Sequence, residues 1–325
     1  MPIVYDDFVV KSEPEAKYLG DFIHQGGNNS STMATIIKRR GRVKKCIFEI
    51  GAVLNDIRMQ SIGGLTSGLT IWNMAVIPYL LYNSETWTDL EDDCIQELEK
   101  LQTLFLSVLL AVPLSCPRPA LSWDTASLSM ANRIIQTKLN FAVHLKKLDE
   151  DSLAKQVFDE QLENGYPGLA QEAKDLCCKL FIPDLTRYRK EDPTKNQWKQ
   201  RISEAVKERN EKELKEEIRS KSKLDSMREE SYEQKAYLND LGLNEARMFF
   251  RIRTRSIKCK MNQPSSPANK AALWQCSGCS QIDTQSHILY CDAYQHLREG
   301  KSLNNDNDLV EYFRSVLKIR EEFDL

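Results

Sequence analysis

The residues best suited to chemistry lie near the C-terminus, in the stretch WQCSGCSQIDTQSHILYCDAY. Cys276 and Cys279 form a C-x-x-C pair, and His287 and Cys291 follow as H-x-x-x-C. A C-x-x-C turn directs both sulfurs to one side, and residues four apart on a helix share one face. Three thiolates and one imidazole match a closed, four-coordinate structural zinc site. We therefore expect a Zn²⁺ ion that stabilises the fold, the alternative being a set of ordinary buried cysteines.

Basic residues are clustered, although the net charge is only −2. The cluster that precedes the cysteines consists of Arg247, Arg251, Arg253, Arg255, Lys258 and Lys260. Arg247, Arg251 and Arg255 are four apart and would share one helix face. Guanidinium groups bind phosphates bidentately, and neutralising phosphates releases counterions, so this cluster is a candidate nucleic-acid contact. The alternative is a solvated helix face. A second cluster, from Lys38 to Lys45, is a candidate for the same role.

No complete catalytic constellation is present in the sequence. Asp6 and Asp7 are adjacent, as in polymerases that hold two metal ions, but no earlier carboxylate can complete such a site, so we interpret them as a surface turn. The chain contains only four histidines. His24 and His144 are interpreted as structural. We therefore expect the chain by itself not to be an enzyme.

Composition favours a helix-rich protein of two or three domains. Of the 325 residues, 41% are hydrophobic and 28% charged, a balance typical of helices with long exposed faces. The N-terminus carries an acidic pair where a signal peptide has basic residues. The cysteines outside the C-terminal stretch lack the spacing of a disulfide framework. We expect a reducing compartment, nuclear or cytoplasmic.

The predicted elements follow the chain in four segments. Residues 1–30 form a short β element with strands over Pro2–Val10 and Lys17–Ile23, separated by a turn at Pro14. Residues 31–187 are helical and begin with a helix over Thr32–Ile57. Residues 188–237 read as a solvent-exposed, charged helical connector containing a domain boundary. Residues 238–325 hold the basic helix and the C-x2-C-x7-H-x3-C motif.

An uncharged stretch within the second segment, Met59–Ser84, is long enough to span a membrane. Its glycines, Asn73 and Pro78 instead favour a buried core helix over about Ser67–Tyr82. We therefore expect no membrane association.

The order of these motifs resembles the region after the palm in LINE-type, non-LTR retrotransposon reverse transcriptases. KYLGDFI, at Lys17–Ile23, is similar to the family's post-palm segment. Val76–Trp87, VIPYLLYNSETW, looks like the end of its uncharged helix, and a C-x-x-C…H…C knuckle closes the family's polyprotein. The family's knuckle most often has H-x4-C, whereas this chain has H-x3-C.

The resemblance implies a helical thumb-like domain over 31–187 and a C-terminal zinc knuckle, without the fingers, palm and catalytic aspartates of the RNA-directed DNA polymerase. Expected partners are RNA or DNA, together with the missing palm or another retrotransposon protein. By position, the expected thumb contacts are Lys38, Arg39, Arg42 and Lys45. The expected contacts near the knuckle are Arg247, Arg251, Arg253, Arg255 and Lys258. The alternative is a repurposed protein-interaction module that zinc only stabilises.

Overall fold

The computed structural model describes residues 3–5, 8–10, 14–56, 63–114, 116–183, 185, 195–257, 275–276 and 278–323. Over these residues the chain is mostly helical with a small N-terminal β element, which confirms the predicted class. The strands are β1 (Ile3–Tyr5), β2 (Phe8–Val10), β3 (Glu15–Tyr18) and β4 (Asp21–His24). The helices are α1 (Asn28–Asn55), α2 (Gly64–Ile71), α3 (Ile77–Leu80), α4 (Asp92–Leu109), α5 (Arg118–Asp124), α6 (Met130–Lys146), α7 (Leu153–Asn164), α8 (Leu169–Lys179), α9 (Lys195–Arg219), α10 (Tyr237–Asp240), α11 (Leu243–Arg253), α12 (Gln285–Tyr290), α13 (Gln295–Arg298) and α14 (Asp306–Phe323).

The chain divides into two compact units, each assembled from separated segments. The first unit comprises Met1–Phe48, Ile71–Phe105 and Ser127–Leu214. The second unit comprises Glu49–Thr70, Leu106–Ala126 and Lys215–Leu325. The segments expected from the sequence, 1–30, 31–187, 188–237 and 238–325, are consecutive, whereas these units interleave along the chain. The last change of unit, after Leu214, falls within the stretch that was expected to hold a domain boundary.

The strand predicted over Lys17–Ile23 is instead a tight hairpin of β3 and β4. Tyr18 pairs with Asp21, which leaves Leu19 and Gly20 as the turn. Both turn residues have positive φ, 47° and 93°, as in the type I′ turns that match the twist of hairpin strands. The YLG motif of the sequence is therefore a turn signal.

The stretch Pro2–Val10 also contains two strands where one was predicted. β1 and β2 pair antiparallel, with Ile3 opposite Val10. Asp6 and Asp7, predicted to form a surface turn, lie outside the described residues.

The apolar stripe predicted for the first long helix is confirmed in α1. The stripe residues that the structure describes are all buried: Ile36, Val43, Ile47, Ile50 and Leu54. Ile57, the last member of the predicted stripe, lies outside the described residues. The uncharged stretch that follows contains α2, a π-helical segment at Trp72–Val76, and α3. Within the first unit, the Trp72 ring stacks on Phe105 with the centroids 4.2 Å apart. No helix among the described residues is long and apolar enough to cross a membrane.

The charged stretch 188–237, interpreted above as a solvent-exposed connector, contains a core helix. Every fourth residue of α9 from Trp198 onward is buried: Trp198, Ile202, Val206, Asn210, Leu214 and Ile218. In the first unit, Trp198, Ile202 and Val206 join the core cluster formed by α6, α7 and α8. The exposed-spacer interpretation is therefore wrong for α9. Most residues of α9 are charged, but one face of the helix is buried. One apolar face is sufficient for a helix to pack in a core.

Candidate metal centre

Four side chains predicted to bind a metal converge in the second unit. The ligand atoms of Cys276, Cys279, His287 and Cys291 all lie within 4.8 Å of one another. The Sγ atom of Cys291 is 3.6 Å from that of Cys279 and 3.9 Å from that of Cys276. Nε2 of His287 lies 3.1 Å from Sγ of Cys279. This Cys3His cluster can hold a metal ion, as the sequence predicted.

The dimensions of the Cys3His cluster suit a small tetrahedral cation. Tetrahedral bonds of about 2.3 Å from Zn²⁺ to sulfur place two sulfurs about 3.8 Å apart. Both sulfur separations given above are close to this value. Cys276 and Cys291 are buried, whereas Cys279 and His287 are partly exposed. The four residues together supply a complete set of four soft and borderline ligands, as in structural sites.

A tight turn carries the first two ligands. The Ser280 N–H donates to the Cys276 carbonyl at 2.9 Å, and the Cys276 N–H donates to the Gln281 carbonyl at 2.7 Å. Ser280 adopts a left-handed φ of 62°, and Gln275 then pairs with Ile282 in an antiparallel bridge. The turn therefore reverses the chain within a few residues, which brings both sulfurs to one side as predicted.

A glycine allows this turn to pack closely on the segment after the last ligand. A Cβ atom at Gly278 would lie 2.5 Å from the Cβ of Ala293, two residues after Cys291. Real Cβ atoms do not approach that closely. The middle of the C-x-x-C turn thus requires a residue without a side chain.

The other two ligands occupy α12 and its end. The Thr284 hydroxyl accepts a hydrogen bond from the His287 N–H at 3.0 Å and so caps α12 at its N-terminus. Cys291 is the C-terminal cap of α12 and has an extended backbone, with φ −63° and ψ 126°. The prediction that His287 and Cys291 share a helix face is therefore corrected. The two residues converge because the helix ends, and this change of direction accommodates the H-x3-C spacing.

The pKa values of the two buried cysteines in the Cys3His cluster are shifted in opposite directions. Burial raises the pKa of Cys276, but hydrogen bonds from the Gly278 backbone, His287 and Cys291 bring it down to about 6. Burial, only partly opposed by a hydrogen bond from the Ala293 backbone, raises the pKa of Cys291 to about 12. Zn²⁺ would displace the proton of Cys291, because thiolates are the metal ligands.

Two of the arginines predicted to contact nucleic acid support the fold of the second unit. Arg247 is buried, and its guanidinium donates to the Leu109 carbonyl at 2.9 Å and to Oδ1 of Asn55 at 2.6 Å. Arg251 is partly buried and donates to the Ala111 carbonyl. Burial lowers the pKa of both guanidinium groups. Arg247 is therefore withdrawn as a phosphate contact.

The predicted basic face of this helix is also not formed as expected. α11 ends at Arg253, and Arg255 has a left-handed φ of 49°, so Arg255 does not continue the helical face of Arg247 and Arg251. Arg255 is exposed. Lys258 lies outside the described residues.

Arg253 belongs to a buried polar network that sequence reasoning missed. Its guanidinium binds both carboxylate oxygens of Asp124, at 2.9 and 3.2 Å, and Glu230 at 2.7 Å. The Tyr237 hydroxyl donates to Asp124 at 2.8 Å. The Asp124 side chain is fully buried, so Arg253 neutralises a carboxylate that would otherwise be costly to bury. Arg253 is therefore also withdrawn as a phosphate contact.

The basic cluster of α1 separates into buried and exposed members. Arg39 is buried and donates to the carbonyls of Leu80, Tyr82 and Gly20 and to Asp21, so it is withdrawn as a contact. Lys38, Arg42 and Lys45 are exposed. Lys38 pairs with Glu15 at 3.2 Å, and the Arg42 guanidinium lies over the Tyr79 ring.

Comparison of the chain with protein-family models, with curated proteins and with solved structures gave no match. The similarity to LINE-type reverse transcriptases therefore depends on the sequence motifs described above.

Proposed function

We propose that the Cys3His cluster binds one structural Zn²⁺ ion and that the chain is a nucleic-acid-binding part of a LINE-type, non-LTR retrotransposon reverse transcriptase. The observation that carries the proposal is the convergence of Cys276, Cys279, His287 and Cys291. The order of motifs adds support, because the family places such a knuckle after its thumb. In this proposal the first unit is thumb-like and the zinc holds the second unit in a fixed shape. Bound Zn²⁺ supplies folding free energy here, since all four positions are taken by side chains.

The geometry reduces the set of expected phosphate contacts. Arg251 stays a proposed contact in the second unit, because its side chain is partly exposed beside its hydrogen bond to Ala111. The other proposed contacts are Arg255 and Lys258 in the second unit and Lys38, Arg42 and Lys45 in the first unit. The withdrawn residues Arg39, Arg247 and Arg253 use their guanidinium donors inside the protein. Affinity in this proposal comes from charge on the sugar-phosphate backbone and is therefore sensitive to salt.

Salt-dependent binding of the full-length chain to single-stranded RNA and to duplex DNA tests this proposal. The test variant is Arg251→Gln/Arg255→Gln. The control, Arg118→Gln/Arg314→Gln, removes the same number of charges from ion pairs with Glu217 and Glu245. Losing two contacts should flatten the slope of log K against log salt by about 1.4 for single-stranded RNA. The control should leave the slope unchanged. Equal slopes for both variants would refute the assigned contacts in the second unit.

A second candidate function, docking of a protein partner, is favoured by the β3–β4 hairpin. Tyr18, Leu19 and Ile23 are 63%, 75% and 55% exposed, and large apolar residues clustered at a surface are typical of binding sites. The variant Tyr18→Ser/Ile23→Ser, which leaves the charge unchanged, separates the two functions. Protein docking predicts loss of partner binding with unchanged affinity for nucleic acid.

A further inference from the structure

The last helix of the chain reaches the Cys3His cluster through one arginine. Nη2 of Arg320, on α14, lies 4.0 Å from Sγ of Cys276. The same guanidinium binds both carboxylate oxygens of Asp283, with Nη1 and Oδ2 3.0 Å apart. Its Nε donates to the Tyr294 hydroxyl at 3.1 Å, and its cation lies 5.5 Å from the centre of the Tyr294 ring.

Each of the three segments that carry metal ligands contributes one of these partners of Arg320. Cys276 begins the C-x-x-C turn. Asp283 immediately precedes Thr284, the residue that caps α12 and orients His287. Tyr294 follows Cys291 by three residues. One guanidinium group therefore fixes the turn, the start of α12 and the chain after the last ligand.

The contacts between Arg320 and Asp283 are buried, so the two side chains are held in place and their charges are poorly screened by water. The Asp283 side chain is 0% exposed and that of Arg320 is 11% exposed. Three thiolates, a neutral imidazole and a dication leave a net charge of −1 at the cluster. A buried negative site is stabilised by a nearby cation, and Arg320 supplies one beside Cys276.

We propose that Arg320 is a positioning residue of the metal centre, which holds the three ligand-bearing segments together and places a positive charge beside the Cys276 thiolate. The inference rests on the proposed zinc site and adds that α14 is part of it.

Two further contacts connect the surroundings of α12 with α14. The Tyr312 hydroxyl, on α14, donates to the Ile288 carbonyl. Nη1 of Arg298, on α13, donates to the carbonyls of Leu289 and Cys291 at 3.0 and 2.9 Å and to the Tyr312 hydroxyl of α14 at 3.5 Å. Tyr312 is fully buried. The C-terminal end of α12 is thus held by α14 independently of Arg320, so an Arg320 variant should keep α14 in place while weakening the metal site.

The test compares two arginines of α14 in the full-length chain. Arg320→Met removes the proposed residue. Arg314→Met is the matched control, because Arg314 lies on the same helix, is 51% exposed and pairs with Glu245. Competition with a chelator gives the Zn²⁺ dissociation constant. We expect Arg320→Met to weaken zinc binding about 10- to 100-fold, as for other outer partners of metal ligands, and Arg314→Met to leave it unchanged.

The double variant Arg320→Met/Asp283→Asn controls for loss of folding in Arg320→Met. It removes the buried Asp283 carboxylate together with its cationic partner. It should still weaken zinc binding, since the guanidinium donor beside Cys276 and its hydrogen bond to Tyr294 are lost. Cobalt substitution gives a second readout that a purely structural role would not move. Loss of the cation should shift the thiolate-to-cobalt charge-transfer band to lower energy in both Arg320 variants and not in Arg314→Met.

The outcomes separate this inference from the proposed zinc site. If the wild-type chain binds zinc but the Arg320 variants match Arg314→Met in affinity and in spectrum, the role of Arg320 is refuted and the zinc site stands. If the wild-type chain binds no zinc, both proposals fail.

Discussion

Replacing Trp198 by alanine tests whether the charged helix α9 is part of a core. The Trp198 side chain is 2% exposed and packs in the cluster that α6, α7 and α8 build in the first unit. Burying a large aromatic side chain removes about 150–250 Å² from water, worth about 4–6 kcal/mol at 25 cal/mol per Å². Truncations of buried Phe or Trp to alanine typically cost about 3–5 kcal/mol. We expect Trp198→Ala to lower the free energy of unfolding of the first unit by about 3–5 kcal/mol.

Urea unfolding followed by far-UV circular dichroism measures the change. Hydrogen exchange of the α6–α8 amides assigns it to the first unit. The control is Lys199→Ala, which changes the exposed neighbouring residue and should alter stability by less than about 0.5 kcal/mol. A solvated connector predicts the same small effect for both variants. Equal stability of Trp198→Ala and Lys199→Ala would therefore refute the assignment of α9 to the core.

Two further predictions concern a close contact and an acid-sensitive carboxylate. Gly278→Ala should weaken zinc binding, because the new Cβ meets Ala293; Gly278→Ala/Ala293→Gly should restore the affinity measured by chelator competition, and failure of the rescue would contradict the contact. Burial raises the pKa of Asp159, but hydrogen bonds from Lys146 and Lys155 outweigh it, so the folded pKa lies below the unfolded one. The resulting stability is present above about pH 4 and is lost as the pH falls through the folded pKa. Wild type should therefore lose more stability than Asp159→Asn between pH 5 and pH 2 in urea titrations, and parallel losses would contradict the ion pairs.

The features that the sequence predicted correctly are local. The stripe of α1 follows from residues three, four and seven apart. Cys276, Cys279, His287 and Cys291 lie within one short stretch, where spacing alone limits the geometry.

The roles of the arginines could not be predicted, because their partners are distant in the sequence. Arg253 neutralises Asp124 across 129 positions, and Arg247 donates to the Leu109 carbonyl across 138 positions. A basic run looks the same in sequence whether its charges face phosphates or buried acceptors. Arg320 was missed for the same reason, since Asp283 and Cys276 meet it only after α14 folds back.

The predictions for the hairpin and for α9 were wrong because the residues that determine each structure are surrounded by residues typical of another one. The turn at Leu19 and Gly20 lies inside an apolar stretch that resembles one strand. In α9 the buried residues are few, and a fourth-residue spacing that includes Asn210 is easily overlooked among so many charges.

Metal analysis of the purified full-length chain, combined with X-ray absorption at the zinc edge, tests the central claim most directly. We predict about one zinc per molecule, bound by three sulfurs at about 2.3 Å and one nitrogen at about 2.0–2.1 Å. Cys279→Ser should lose the metal and loosen the C-terminal region, while the first unit stays folded. Absence of zinc from the wild-type chain, or equal zinc content in Cys279→Ser, would contradict the claim.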